Sequence, residues 1–181
     1  PHIRRLEEMD RFLREDPWRF GEKADVALVF FHFTSPDTFE TYASMIEGWR
    51  RDFPDLAIIV TCAGFMDNGK YAGENRKSIA FNRKVHERFR GKLPVYDLAS
   101  ILSKDQKDGP GFAVGYSADP AGVHPNTATG EKAMAQGFLV LLRDMVEGGM
   151  GAAGQPPKPK NLPNANLPPP FASPSTGPTA P

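Results

Sequence analysis

The sequence predicts a three-layer α/β/α fold, a parallel sheet with helices on both faces. Three observations lead there. Apolar runs of strand length occur at ADVALVFFHF (24–33), LAIIVTCA (56–63) and LPVYDLA (93–99). Segments whose apolar residues recur at three and four positions separate them. Strands alternating with helices must be joined by crossovers, which place the strands parallel and the helices on the sheet faces.

Each element follows from its local chemistry. PHIRRLEEMDRFLRED places Ile3, Leu6, Met9 and Leu13 on one face of a short helix that ends near Asp16–Pro17. The Val- and Phe-rich run 24–33 predicts a strand buried on both faces. Ser35-Pro36-Asp37 opens the next helix, with Ser35 and Asp37 as its caps. That helix carries Phe39, Tyr42, Ala43, Ile46, Trp49 and Phe53, and Pro54 stops it. Leu56–Ala63 is the second strand. GFMDNGKYAGENRKS predicts a long polar loop with a turn at Asn68-Gly69. A helix from about Glu74 to Arg90 presents Ile79, Phe81, Val85 and Phe89, and Gly91 closes it. The third strand ends at Asp97. A Gly-rich loop then leads to His124, and the last helix runs from about Thr127 to Val146, burying Met134, Phe138, Leu141, Leu142 and Met145.

Composition divides the chain. Residues 1–150 suit one domain. Residues 151–181 hold 10 prolines in 31 positions, with Leu162, Leu167 and Phe171 as the large apolar side chains. Such a segment buries too little surface to offset its ordering entropy and reads as a disordered or polyproline-II tail. The whole chain balances 22 basic against 22 acidic groups; Lys158 and Lys160 are the charges of the tail, so the first 150 residues carry a net of −2. No basic block or aromatic-interleaved basic stripe occurs, which argues against nucleic acid as partner. Cys62 is the one cysteine, so an internal disulfide and a multi-cysteine metal site are excluded. No apolar run reaches the length of a membrane span.

In parallel sheets, ligands bind beyond the carboxyl ends of the strands. Those ends fall at His32–Asp37, Cys62–Asp67 and Asp97–Ser100, and the loop bearing His124 belongs to the same rim. His124 stands between a Gly/Pro-rich loop and a helix. It reads either as a structural residue at the helix start or as a general base, which needs an acid to orient its ring and a hydroxyl to activate. His2 and His86 lie in helical patterns and carry no functional signal. Asn82 and Asp97 read as structural. No His/Asp/Glu spacing makes a metal site.

From Ile3 to Val146 the chain resembles the later two-thirds of an SGNH (GDSL-type) hydrolase. The words are ADVALVFFHF, similar to the family's third strand; FNRKVHERFRGKLPVYDLA, similar to its later helix and strand; and AGVHPNTATGEKAMA, similar to its final catalytic block. Gly122-Val123-His124-Pro125-Asn126 with Gly130 is the sharpest part. The resemblance implies a flavodoxin-like sheet lacking its first strands, no metal or organic cofactor, and an ester substrate such as an O-acyl group of a carbohydrate or lipid. It implies His124 as base, Asp119 as its orienting acid, and His32 and Asn126 as substrate-binding residues. Three features depart from the family. Ala121 stands where an Asp precedes the His, HFTSPDTF replaces the Gly-x-Asn-Asp word, and no Gly-Asp-Ser or Gly-x-Ser-x-Gly nucleophile word is present. Two accounts remain: an N-terminally incomplete piece of a larger domain, or a smaller three-stranded descendant. Two functions remain with them: a serine esterase whose nucleophile lies upstream, or a catalytically inactive module that binds a glycan or protein.

Overall fold

The computed structural model describes residues 2–30, 36–106, 109–118 and 124–147. Helix α1 (His2–Arg14) and the short α2 (Phe20–Lys23) precede β1 (Val26–Val29). A 3-10 turn at Pro36–Thr38 leads into α3 (Phe39–Asp52), followed by β2 (Ala57–Thr61), α4 (Asn68–Phe89) and β3 (Val95–Tyr96). Then come α5 (Leu98–Leu102), β4 (Ser103–Gln106), β5 (Gly109–Phe112), a 3-10 turn at Val114–Tyr116, and α6 (Gly130–Val146). The expected tail at 151–181 lies outside the described residues.

The three main strands form one sheet in the order β1-β2-β3, and both pairings are parallel. Val26 stands opposite Ala57 and Val29 opposite Val60, while Val60 also faces Val95 and Thr61 faces Tyr96. Every residue of β2 is buried, as the centre of such a sheet requires. Its alternation divides the core. Ile58, Val60 and Cys62 point into a cluster with Leu6, Ile46, Trp49, Phe81, Val85 and Phe89, contributed by α1, α3 and α4. Ile59 points the other way, to Tyr96, Leu98, Leu102 and Phe112, against the partly buried Met134, Phe138 and Leu141 of α6. Each buried aliphatic side chain of this kind stabilises the fold by about 1.5–3 kcal/mol.

Polar contacts orient the helices on this core. Trp49 Nε1 donates to Asp10 Oδ1 at 2.7 Å, so the indole N–H of a buried ring is satisfied by α1. Arg14 bridges Asp10 and Asp52 at 2.7 and 2.8 Å, and Arg88 clasps Glu47 with two bonds of 2.8 and 3.0 Å. The Arg88 guanidinium holds the Glu47 carboxyl below its ordinary range. These pairs face solvent and set register more than stability. Among the described residues no helix is long and apolar enough to cross a membrane.

The structure corrects several expectations. The first strand is not buried on both faces: of β1 and the residue after it, Val29 is buried while Val26, Leu28 and Phe30 are 41, 38 and 43% exposed. The reason is position. β1 is an edge strand, and α6 covers that face only over β2 and β3. The polar stretch after β2 is not a long loop, because α4 begins at Asn68, six residues before Glu74. Asp67 caps it by accepting from the Gly69 N–H at 2.8 Å, and a kink at Tyr71 joins the added turn to the main helix. α5 follows β3 directly, and the Gly-rich stretch from Ser103 is not loop throughout: it holds an antiparallel hairpin in which Ser103 pairs with Phe112 and Gln106 with Gly109. The last helix starts at Gly130 rather than Thr127, since 127–129 form the turn that precedes it. Gly91 does close α4, at φ +75°.

Ile46→Ala and Ile59→Ala, one in each half of the core, should each lower stability by about 2–5 kcal/mol in urea unfolding. Leu139→Ala, at a side chain 64% exposed on α6, should change it by less than about 0.5 kcal/mol.

Candidate functional site

Beyond Thr61 the chain leaves the sheet but stays buried through Met66. Past the bond from Cys62 N to Tyr96 O, its backbone groups have lost their strand partners and must find others. Two asparagines of α4 supply them. Asn82 accepts from Ala63 N at 2.7 Å and donates to Ala63 O at 2.8 Å. Asn75 accepts from Met66 N and donates to Met66 O, both at 2.8 Å. The two lie seven residues apart, two helical turns, and Ser78 is buried between them. Thus α4 shows the sheet an apolar stripe (Phe81, Val85, Phe89) and shows the post-strand segment a polar one.

His86 continues the polar stripe one turn past Asn82. Its Nε2 lies 3.5 Å from Cys62 Sγ and 3.0 Å from Asp97 Oδ2. Cys62 follows β2 and Asp97 follows β3, so both stand at carboxyl ends of neighbouring parallel strands, joined by the bond from Cys62 N to Tyr96 O at 3.1 Å. Asp97 also caps α5, accepting from Ser100 N through Oδ1 at 3.1 Å, which leaves Oδ2 for the histidine. Cys62 is fully buried, while the side chains of His86 and Asp97 are 26 and 30% exposed. His86 Nδ1 is shielded from solvent and has no hydrogen-bond partner among the described residues. Burial first, then the charge of Asp97 and a hydrogen bond to it, push the Cys62 thiol far above its ordinary range, against a smaller opposing effect of Arg90.

This is not the geometry of a thiol nucleophile. A relay needs the thiol on one ring nitrogen and the orienting acid on the other. Here both converge on Nε2, and the adjacent carboxylate disfavours the thiolate. Three donor atoms of different type instead face one another within 4.8 Å.

The second site region is the turn before α6. Ser117 and Pro125 form an antiparallel bridge, and Ala118 N donates to His124 O at 2.8 Å, with the His124 side chain exposed. Asn126 locks the turn. Its Nδ2 donates to Gly115 O and Ser117 O at 2.9 and 3.2 Å, and its Oδ1 accepts from Thr129 N, Thr129 Oγ1 and Gly130 N at 2.8, 2.9 and 3.3 Å. Gly130 is required by close approach: a Cβ there would stand 2.5 Å from Tyr116 O and 2.8 Å from Pro125 Cβ. The preceding hairpin is tied to the segment after β2 by Phe112 N to Met66 O at 3.0 Å and to the end of α5 by Ala113 N to Leu102 O at 2.9 Å. Hence His124 projects from a braced turn, and the Asn126 amide is spent on bracing it.

His32, Ser35, Asp119 and Ala121 lie outside the described residues, so of the four expected site residues His124 and Asn126 are brought together. Sequence reasoning missed Cys62, His86 and Asp97 as a set. Two of the three lie where strands were expected to end, which was the available signal. His86 gave none, because its helical neighbours 83, 84, 87 and 88 are charged. A cleft lined by Lys23, Asp25, Asp52 and Asp55 lies before β1 and β2, at the opposite ends of the strands from these residues. No protein-family model and no curated protein matches the chain.

The Cys62 environment makes two measurable statements. In the native protein, iodoacetamide should alkylate Cys62 much more slowly than a free thiol from pH 7 to 9, and denaturation should abolish the difference. A thiol held protonated by the fold contributes stability that is whole below the unfolded thiol pKa of about 8.5 and is lost as pH rises above it. Unfolding free energy of the metal-free protein should therefore fall more steeply above that pH in the wild type than in Cys62→Ala. Separately, Asn82→Ala strands the N–H and C=O of Ala63 and should cost about 1–3 kcal/mol for each group left unpaired.

Proposed function

We propose that the chain is the base-bearing part of an SGNH-like ester hydrolase, with a flavodoxin-like sheet that continues past β1. The observation that carries this reading is the fixation of His124. An exposed imidazole on a turn braced by Asn126, required to be tight by Gly130 and tied to the carboxyl-end loops, suits a base that must hold one position during proton transfer. The position of β1 at the sheet edge, unpaired on its outer side among the described residues, and its exposed Val26, Leu28 and Phe30 support the second part. An apolar sheet edge is a ready template for a further strand, and such a strand would bring a serine loop to the same rim.

In this reading His124 takes the proton of the serine hydroxyl as the oxygen attacks the acyl carbon. It then returns that proton to the departing alcohol. Backbone N–H groups near the serine hold the oxyanion. Asp119 would orient the ring and His32 would contact substrate; the substrate class is an O-acyl ester of a carbohydrate or lipid. A second reading, an inactive module that binds a glycan or protein through the same rim, draws on Ala121 and on the exposed apolar residues of β1.

The test uses an activated ester such as p-nitrophenyl acetate. The 181-residue chain should give no acyl-enzyme burst. The longest native polypeptide that contains it should turn over, and His124→Ala should reduce kcat by about 10²–10⁴-fold. Turnover by the shorter chain that survives His124→Ala but is lost in Ser117→Ala would make the nucleophile local and overturn the proposal. A native polypeptide inactive on acetyl, longer acyl and sugar esters would favour the binding module.

A further inference from the structure

The Cys62–His86–Asp97 cluster has no part in the ester chemistry assigned to His124. We propose that Cys62 Sγ, His86 Nε2 and the Asp97 carboxylate form a binding site for a single zinc-class divalent cation, with its fourth position open on the solvent side of His86 and Asp97.

Geometry carries the proposal. Zinc bonds of about 2.3 Å to sulfur and about 2.0–2.1 Å to imidazole nitrogen place those two donors about 3.5 Å apart on a tetrahedron. Sulfur and nitrogen stand 3.5 Å apart here. The nitrogen and carboxylate oxygen, at 3.0 Å, need to open only to the tetrahedral spacing of about 3.3 Å. All three donor atoms lie within 4.8 Å of one another. Above all, thiol and carboxylate share one imidazole nitrogen. That convergence serves no proton relay and is what a central ion requires.

The supports of the three donors are independent of one another. Cys62 is held at the sheet by its backbone bond to Tyr96, Asp97 by its cap on Ser100, and His86 by a helix pinned through Asn82. Charge agrees with the geometry. A divalent ion displaces the thiol proton, and two anionic donors then balance its charge. The mixture of thiolate, imidazole and one carboxylate selects a borderline-soft ion over Mg²⁺ or Ca²⁺, which take oxygen donors. Metal on Nε2 leaves the proton on Nδ1. Among the described residues no acceptor meets that buried N–H, and none of them supplies the carboxylate or carbonyl that usually backs a ligating histidine.

The metal-free protein, after dialysis against a chelator, is titrated with Co²⁺ and then with Zn²⁺. One equivalent of Co²⁺ should develop a near-ultraviolet thiolate-to-cobalt charge-transfer band and intense tetrahedral visible bands. Zn²⁺ should bleach both, while Mg²⁺ and Ca²⁺ should not. Binding should release about one proton per ion. Cys62→Ala should remove the charge-transfer band. Asp97→Asn, which keeps an acceptor for Ser100 N, and His86→Gln should weaken binding by about tenfold or more. His124→Ala should leave the titration unchanged. Circular dichroism matching the wild type qualifies each variant. Absence of one-equivalent binding overturns the proposal, as does binding whose spectrum is the same in Cys62→Ala.

Discussion

The structure depends on satisfying the backbone that leaves β2. A strand can be buried because its neighbours take its N–H and C=O groups; a segment that continues past the last pairing loses them while still surrounded by apolar side chains. An unmet amide costs about 1–3 kcal/mol in mutational data, so a buried run from Ala63 to Met66 needs replacement partners. Asn82 and Asn75 each return a donor and an acceptor to one residue of that run. This fixes the azimuth of α4, because the polar stripe must face the post-strand segment while Phe81, Val85 and Phe89 face the core. With the azimuth set, His86 has one direction in which to point, toward Cys62.

The same constraint gathers the rim. Met66 O accepts from Asn75 Nδ2 and also from Phe112 N, so the β4–β5 hairpin is docked on the pinned segment. Downstream of the hairpin, His124 stands beside the bridge between Ser117 and Pro125, and Asn126 and Gly130 close that bridge onto the start of α6. Two regions of chemistry therefore share one scaffold. Their characters differ. The Cys62 cluster is recessed, with its thiol out of solvent, and it joins three elements at the strand ends. His124 is exposed and is held through its own backbone and the residues that follow it.

Burial across the sheet is uneven in a way that fits the proposed continuation past β1. Both faces of β2 are closed, and β3 is covered by α6, with Tyr96 Oη donating to Met134 O at 2.7 Å. β1 has one closed face and one that shows Val26, Leu28 and Phe30. An apolar face and a strand edge left open among the described residues gain most from one added element that pairs and covers at once.

The sequence by itself determined the α/β class, the parallel arrangement and the rank of the main elements. Apolar runs report buried strands, and a period of three to four reports a helix with one buried face; both are local signals. Gly91 was legible for the same reason, since a left-handed residue at a helix end is a local demand. The first turn of α4 and the 103–112 hairpin were not legible. Their residues are polar or Gly-rich, and what orders them is distant: Asn75 on Met66, Phe112 on Met66. The exposure of β1 was equally hidden, because an apolar run states what a strand would bury and not whether anything covers it. His124 could be singled out from its neighbours in the chain, whereas Cys62, His86 and Asp97 are separated by 24 and 11 residues. Only tertiary structure could unite them, because their meeting depends on how two parallel strands end side by side and on the rotation of α4 that two asparagines impose.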